Sequence, residues 1–429
     1  MYQKKISILD IVGCLSTAMD LVSPDMVHHQ RRVGYIAHRF AHEAGWPENE
    51  QNNVLVAGFL HDCGALSLEE RFMTMCFEGS LQTASLHLHA EAGYRLLRKF
   101  SPFSEVASYI RFHHLPWANG AGKEFNGQPV PIGAHILHLA DRVEILIDAK
   151  GHILQQAKSI VEKIDQVSGK LFAPVLVEVF KSLAGKESFW LDIKALSCAS
   201  VWSGHSGLLG SIRIDTEVLR ELTTIISRII DFRSRFTATH SSGVSACAVM
   251  LANVLGMSAS EQIMMQIAGY FHDLGKLAVP KEILEKPSSL TEQEFYVIKA
   301  HPYYTKNILN KFKELSTIST WASEHHERLD SKGYPYHLGG DTLSLGSRIM
   351  AVADVFTAIT EDRPYRKGMD SPQAIKVLNN LVGDHALDGD IVNTLTTNFE
   401  EINGVRGQAQ VTSLQEYQEF NQPICVPAA

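Results

Sequence analysis

The sequence predicts an all-α protein built from two tandem helical domains, and three observations support this prediction. The chain of 429 residues is too long for one hydrophobic core and suits two domains of about 200 residues each. Apolar residues recur mostly at helical spacing, and few stretches alternate in the way that a sheet requires. One pattern of histidine and aspartate residues occurs twice along the chain, which indicates a duplicated unit.

The duplicated pattern consists of five histidines and two aspartates, and the second copy follows the first by 211 to 213 positions. Because only 20 of the 429 residues are histidine, composition alone does not explain this register. Imidazole and carboxylate groups are common metal ligands, so the repeat predicts one ligand framework in two copies. The first copy is His29, His61, Asp62, His89, His113, His114 and Asp141. The second copy is His240, His272, Asp273, His301, His325, His326 and Asp354.

A stretch rich in glycine and serine, Trp202–Gly210, marks the boundary between the two copies. We therefore expect domains at residues 1–203 and 214–429. An apolar stripe between Ile214 and Arg235 predicts a helix, which either covers the core of its own domain or connects the domains and packs against the other domain or a second subunit. From about Asn403 the periodicity weakens, which predicts a loosely held tail.

The charge and the cysteines restrict the class of protein. A net charge of −8 argues against a DNA or RNA polymer as partner, because such a surface needs a basic stripe. No apolar run reaches the ~20 residues that span a bilayer, so membrane insertion is not expected. We interpret the start of the chain as a first helix rather than a signal peptide, because Asp10 interrupts its apolar run. The six cysteines form no CxxC pair, which favours reduced thiols and a cytoplasmic location.

The second copy carries the stronger chemical pattern. Adjacent side chains inside a helix point about 100° apart, so His272 and Asp273 face one metal only near a helix end, which Gly275 and Pro280 predict. The adjacent His325 and His326, followed by a Gly-Tyr-Pro turn, are hard to explain as core packing. Five imidazoles and two carboxylates suffice for two divalent ions once water and substrate oxygens are added. The lack of thiolate ligands suits iron or manganese, and zinc less well.

These motifs resemble the HD-GYP family of cyclic-dinucleotide phosphodiesterases, a branch of the HD metal-dependent phosphohydrolases. The resemblance covers about residues 215–403. It rests on His240, the HDLGK segment from His272 to Lys276, His301, the HHE…GYP segment from His325 to Pro335, and the closing segments Ala353–Ala358 and Asp362–Arg366. It implies two tandem HD-type helical domains joined by a long helix, with the C-terminal domain catalytic.

The resemblance also implies a role for each matched residue. One metal ion would be held by His240, His272, Asp273 and Asp354, and a second by His301, His325 and His326, with Asp273 shared between them. Asp273 and Lys276 are the expected catalytic residues, and Lys276, Arg363 and Arg366 the expected phosphate contacts. Without the motif, a surface salt bridge would be the preferred interpretation of the two arginines.

The implied reaction is hydrolysis of a bacterial cyclic dinucleotide. A hydroxide bridging two metal ions would attack phosphorus in line with the departing ribose oxygen, and the product would be a linear dinucleotide. Lys276 would stabilise charge on the phosphoryl oxygens and is also a candidate to protonate the leaving oxygen. Cyclic di-GMP is the leading substrate by resemblance, with 3′,3′-cyclic GMP-AMP close behind.

Two positions depart from the family pattern. Phe236 stands where some family members have a glutamate that binds a third metal, so we expect two ions. Ser331 stands where the HHE…GYP segment usually has glycine. Because serine tolerates most turn conformations other than a positive φ, we expect an adjusted loop that leaves the site open.

The first copy keeps the ligands and loses the substrate apparatus. Ala65 replaces the lysine of the second copy, and neither a Gly-Tyr-Pro turn nor an Arg-Pro-Tyr-Arg segment follows. Two interpretations are open. The domain is either a degenerate unit used for dimerisation or regulation, with its histidines hydrogen-bonded in the core, or an occupied metal site for another phosphate ligand.

Two rival functions also stay open for the second copy. One is a mononucleotide phosphohydrolase that uses the same metals. The other is a non-catalytic module that senses nucleotide or docks onto a cyclase of the GGDEF type through the Gly-Tyr-Pro loop. A homodimer is a further open expectation.

Overall fold

The computed structural model describes residues 8–20, 28–65, 83–195, 216–232, 237–286, 288–311, 313–362 and 367–422. Helices dominate these residues, and the sheet among them is a two-stranded hairpin. The predicted all-α fold is therefore confirmed. The described residues form two compact units, one within residues 8–195 and one within 216–422. The predicted boundary between residues 203 and 214 lies outside the described part of the chain and stays a prediction.

The N-terminal unit is centred on two helices that cross in close contact, α2 and α3, with α6 packed against α2. A short hairpin precedes α6, with Glu124 opposite Pro129. The helices of this unit are α1 (Ile8–Asp20), α2 (His29–Glu43), α3 (Glu48–Leu60), α4 (Thr83–Leu97), α5 (Ser104–Arg111), α6 (Ile132–Ile145), α7 (Ile153–Gln166), α8 (Pro174–Ala184) and α9 (Glu187–Ala195), and the strands are β1 (Glu124–Phe125) and β2 (Gln128–Pro129).

The C-terminal unit repeats this central pair as α11 and α12, and α17 packs against α11. Short 3-10 turns link some of the helices, among them Leu274–Ala278 directly after α12. The helices are α10 (Thr216–Asp231), α11 (His240–Val254), α12 (Ala259–Phe271), α13 (Lys281–Leu284), α14 (Glu292–Lys299), α15 (His301–Leu309), α16 (Ser316–Ser323), α17 (Leu345–Thr360), α18 (Ser371–Gly383), α19 (Gly389–Thr397) and α20 (Phe399–Phe420).

Helix α10 lies where the apolar stripe predicted a helix. Leu222, Ile225, Ile226 and Ile229 are buried, and the helix packs against α11 and α12 of its own unit. This packing agrees with the interpretation that the stripe covers the core of its own domain. Residues 196–215 and 233–236, on either side, lie outside the described residues.

The prediction of a loosely held tail from Asn403 is wrong. Helix α20 continues to Phe420 and packs against α11. The buried Ser413 hydroxyl donates to the Ala238 carbonyl at 2.7 Å, and the Arg228 guanidinium donates to Glu416 at 2.9 Å. The buried face of α20 mixes apolar Phe399 and Ile402 with polar Arg406 and Ser413, so an apolar periodicity does not reveal the helix.

The central helix pairs depend on glycine at the crossing points. A Cβ on Gly58 would lie 2.3 Å from the Gly34 Cα, and a Cβ on Gly269 would lie 2.5 Å from the Ser245 Cα. Real Cβ atoms do not approach backbone so closely, so the helices would have to separate. Gly58 and Gly269 occupy the same place in the repeat, and each lies three residues before the His-Asp pair.

No helix in the described ranges combines the length and the apolar character that crossing a bilayer requires.

We expect Gly269→Ala to lower the free energy of unfolding by about 2 kcal/mol or more, because overpacking against backbone has no flexible side chain to relieve it. Gly404→Ala is the matched control. Gly404 is exposed inside α20, and a Cβ added there would meet nothing within 4 Å, so alanine should raise stability by up to about 1 kcal/mol. Calorimetric unfolding measures both variants, and equal melting temperatures would contradict the crossing argument.

Candidate metal centre

The seven predicted ligands of the second copy come together in the C-terminal unit. Most of them stand at helix ends, because an end lets neighbouring side chains turn toward one point. His240 and His301 begin α11 and α15, and His272 with Asp273 follows α12. His325 and His326 follow α16, and only Asp354 lies inside a helix, α17. Two ligand triads result, His240–His272–Asp273 and His301–His325–His326, each with its donor atoms within 4.8 Å of one another.

Asp273 lies between the two triads and offers one oxygen to each. Its Oδ2 is 3.3 Å from His272 Nε2, and its Oδ1 is 3.3 Å from His301 Nε2. Asp354 also spans the cluster, with Oδ1 3.1 Å from His240 Nε2 and Oδ2 3.7 Å from His326 Nδ1. Asp273 therefore faces both triads, and its sharing between two metal ions stays a prediction.

Backbone carbonyls fix the orientation of three imidazoles. The Nδ1 atoms of His272, His301 and His325 donate to the carbonyls three residues earlier, at 2.7, 2.7 and 2.6 Å. A carbonyl only accepts, so Nδ1 carries the proton and Nε2 presents a lone pair to the cluster. Such outer contacts orient metal-binding histidines in general.

Glu361 orients His240 and was missed by the sequence reasoning. Both of its carboxylate oxygens lie 3.2 Å from His240 Nδ1. Burial alone would lower the pKa of His240, but the charges of Glu361 and Asp354 outweigh it and raise that pKa to about 10. Glu361 follows Asp354 by two helical turns, and this spacing on one helix face is the signal that could have identified it.

The residues fit a metal centre. His272 Nε2 and Asp273 Oδ1 are buried and make no hydrogen bond within the described chain, although both face the cluster. Buried acceptors that face one another are costly unless a cation lies between them. Burial also lowers the pKa values of His301, His325 and His326, the last to about 3. These imidazoles are therefore neutral, which is the form that binds metal.

The cluster is open on one side. The side chain of His326 is 26% exposed and that of Asp354 is 11% exposed, whereas His272 and Asp273 are at most 2% exposed. Lys276 stands at this opening, 21% exposed, with Nζ 2.6 Å from Asp273 Oδ2. A ligand that enters here would meet the lysine and both triads together.

The Gly-Tyr-Pro loop forms one edge of the opening. The Tyr334 ring lies 4.7 Å from the His326 ring, centroid to centroid. Glu327, the acid of the HHE segment, is buried and accepts hydrogen bonds from the Tyr336 and Leu338 amides at 2.6 and 2.9 Å. Glu327 therefore holds the loop against the cluster, a role that sequence reasoning did not assign.

Ser331 takes the conformation that sequence reasoning did not expect for it. Its φ is 60°, in the left-handed region that favours glycine. The expectation that serine would sit in an ordinary turn conformation is wrong, although the site stays open. Arg363 and Arg366, the predicted phosphate contacts, and Phe236, at the position of a third-metal ligand, lie outside the described residues.

The first copy also brings its seven ligands together. Asp62 again divides its oxygens, with Oδ2 3.3 Å from His61 Nε2 and Oδ1 3.5 Å from His89 Nε2. Asp141 Oδ1 is 3.5 Å from His29 Nε2. His29 is oriented by Glu144, which contacts its Nδ1 and which sequence reasoning also missed. The two triads here are His29–His61–Asp62 and His89–His113–His114.

Comparisons with known proteins agree with this duplication. Residues 26–146 and residues 224–391 each match the HD domain family. The chain is 31% identical over 397 residues to the 3′3′-cGAMP-specific phosphodiesterase 1 of Vibrio cholerae. The aligned residues cover 90% of this chain and 91% of that protein. It is 36% identical over 167 residues to the cyclic di-GMP phosphodiesterase PA4108 of Pseudomonas aeruginosa, over 38% of this chain and 40% of that one.

A solved structure shares the fold. The crystal structure of the cyclic GMP-AMP phosphodiesterase V-cGAP3 of V. cholerae superposes with a TM-score of 0.61 at 23% identity, covering 96% of this chain and 98% of that chain. At this identity the likeness supports the helical fold, and the expectation of two tandem HD-type domains is confirmed.

We expect Ser331→Gly to raise the free energy of unfolding by about 1 kcal/mol, because glycine adopts a positive φ without the steric cost of a Cβ. Ser331→Ala serves as the control, since it removes the hydroxyl but keeps the Cβ and should give no such gain. Urea unfolding of the three proteins distinguishes the cases. A gain from alanine equal to that from glycine would show that backbone strain is not the cause.

Proposed function

The chain belongs to the HD-GYP family of cyclic-dinucleotide phosphodiesterases, and we propose that its C-terminal domain hydrolyses a 3′,5′-phosphodiester of a bacterial cyclic dinucleotide to a linear dinucleotide. The observation that carries this proposal is the shape of the C-terminal cluster. Seven ligands converge on a site that is open on one side, and a lysine stands at the opening.

We assign two divalent metal ions to this cluster. The first would be held by His240, His272, Asp273 and Asp354, and the second by His301, His325 and His326 with the other oxygen of Asp273. When bound, such a pair supplies Lewis-acid stabilisation of the phosphoryl group and activates water near neutral pH. Nitrogen and oxygen donors without thiolate suit iron or manganese.

Lys276 would meet the substrate phosphate. It is a cation on a flexible stem, partly exposed, and its Nζ already lies 2.6 Å from the shared carboxylate of Asp273. A small rotation of the stem would bring the ammonium to a non-bridging phosphoryl oxygen at the opening. There it would stabilise the charge of the transition state, the kind of electrostatic contribution that dominates phosphoryl transfer.

Two further parts of the machinery follow from the family resemblance. Arg363 and Arg366 would bind the second phosphate or the far side of the first, since guanidinium groups pair with phosphate in a bidentate manner. Asp273 would act as the shared metal ligand, so its loss would release both ions.

The base preference is a finer proposal. The relative that matches almost the full length of the chain is named as a 3′3′-cGAMP phosphodiesterase, and this supports 3′3′-cGAMP as a substrate beside cyclic di-GMP. Cys14, Cys63 and Cys247 are buried and form no disulfide among the described residues, which supports reduced thiols and a cytoplasmic location.

We expect purified protein supplied with Mn²⁺, or with Fe²⁺ without oxygen, to convert 3′3′-cGAMP or cyclic di-GMP to a linear dinucleotide. Asp273→Asn should reduce the rate by about 10³-fold or more, because the shared carboxylate charge is lost. Asp341→Asn, which removes an exposed carboxylate of the same domain, is the matched control. Mass spectrometry of the products measures turnover.

The substrate panel for that assay includes mononucleotides. Release of phosphate from mononucleotides with intact cyclic dinucleotides would favour the mononucleotide phosphohydrolase. Binding of a cyclic dinucleotide without turnover by the metal-loaded wild-type protein would favour the sensing module.

We expect Lys276→Met to lower kcat/KM by about 10²- to 10³-fold, because the transition state loses one preorganised cation. Metal content should not fall, since lysine is not a ligand. Lys376→Met removes the same charge from an exposed side chain of α18, a helix outside the Gly-Tyr-Pro loop, so net charge is matched and activity should be kept. If both variants lose activity equally, long-range charge rather than contact with phosphate explains the effect.

A further inference from the structure

The N-terminal cluster is closed where the C-terminal cluster is open. The side chains of His29, His61, Asp62, His89 and Asp141 are all at most 2% exposed. His114, which corresponds to the partly exposed rim residue His326, is 3% exposed as a whole residue. No substrate reaches a cluster this deeply buried without local opening of the domain.

In the half of the N-terminal cluster that contains the His-Asp pair, protein groups donate to both carboxylates. Gln30 donates to Asp62 Oδ2 at 3.1 Å. Arg142, fully buried, donates to Asp141 Oδ2 at 2.6 Å. Both carboxylates of this half of the cluster therefore have a donor within the protein.

The second copy has other residues at the positions of Gln30 and Arg142. Ser241 stands in place of Gln30 and turns its hydroxyl to Asp231 instead, at 2.9 Å. Val355 stands in place of Arg142. Asp273 Oδ2 accepts instead from Lys276, which reaches it from the partly exposed rim.

At the three-histidine triad of the first copy, by contrast, two buried acceptor atoms have no donor among the described residues. His113 Nδ1 donates to the Ile110 carbonyl at 2.6 Å, so its Nε2 carries a lone pair. That Nε2 and Asp62 Oδ1 are buried and make no hydrogen bond among the described residues. His89 Nε2 lies 3.5 Å from Asp62 Oδ1 and 3.0 Å from His114 Nε2. A carboxylate oxygen and three imidazoles thus surround one point.

Charge limits the number of cations that this buried region accepts. Asp62, Asp141 and Glu144 supply three negative charges, and Arg142 and Arg32 already pair with two of them. One divalent ion is partly balanced by Asp62, but a second would add two uncompensated charges in a site without solvent, at a desolvation cost of several kcal/mol per ion.

We propose that the N-terminal domain binds one divalent metal ion at His89, His113, His114 and Asp62 Oδ1, and that its other triad holds none. Four protein ligands without an open position describe a structural site rather than a catalytic one, and zinc is the ion that most often adopts it. Together with the two ions of the proposed C-terminal centre, the chain would contain three.

Metal analysis of the purified full chain tests the count. We expect three equivalents in the wild-type protein and one, zinc, in the double variant Asp273→Ala/His301→Ala, whether or not the enzyme turns over cyclic dinucleotides. Because this variant changes only C-terminal ligands, its metal content tests the inference independently of the proposed function. No metal in the double variant, or two equivalents there, would overturn the inference.

The choice of triad is tested by two matched variants. In the double-variant background, His113→Ala should lose the remaining equivalent and His29→Ala should keep it. The reverse result would assign the ion to the other triad and overturn the inference.

Because either alanine could impair folding, the wild-type protein provides an independent measurement. Zinc-edge X-ray absorption should show three imidazole nitrogens and one oxygen, and a coloured chelator should remove this zinc at least about tenfold more slowly than the other ions, since release requires local opening. Release of all metal in one fast phase would contradict a closed site.

Discussion

The shared carboxylate of Asp273 is the constraint on which the rest of the C-terminal site depends. One oxygen faces each triad, so the positions of four helix ends have to agree within a few tenths of an ångström. The fold meets this demand with close backbone contact. Gly269 permits α11 and α12 to touch, and its carbonyl accepts from His272 Nδ1. Gly269 therefore sets both the crossing of these two helices and the orientation of the His272 ring.

The duplication shows how a shared ligand frame can diverge through its surroundings. Both copies place five imidazoles and two carboxylates alike, and both orient His61 or His272 by the carbonyl of the glycine three residues earlier. The copies differ in residues around the frame: Gln30 against Ser241, Arg142 against Val355, and Ala65 against Lys276. Each difference moves a hydrogen-bond donor or a charge beside the frame, and the cluster that has the rim lysine is also the partly exposed one.

Features that depend on the register of the repeat and on residue type could be predicted from the sequence. Few of the features that depend on packing could be. The repeat identified all fourteen histidine and aspartate residues that the fold brings together in the two clusters, because metal-binding positions accept few residue types. The residues that orient His29 and His240 do not share a register: Glu144 follows Asp141 by one helical turn, whereas Glu361 follows Asp354 by two. Helix α20 was missed because polar Arg406 and Ser413 share its buried face with apolar residues, which weakens the apolar periodicity. The strained Ser331 was missed because φ is set by the loop around it.

The location of one positive charge separates the two clusters most clearly. In the N-terminal domain Arg142 is fully buried and bound to Asp141, so its guanidinium stays paired with that carboxylate. In the C-terminal domain Lys276 pairs with Asp273 from the rim, on a stem that solvent reaches. Lysine has three donors and a flexible stem, whereas the guanidinium of arginine is a rigid fork. A lysine at the rim can leave its carboxylate partner and pair with a phosphate when substrate enters, whereas a buried arginine cannot. The same unit of positive charge would therefore support substrate binding in one domain, whereas in the other it stays paired inside the protein.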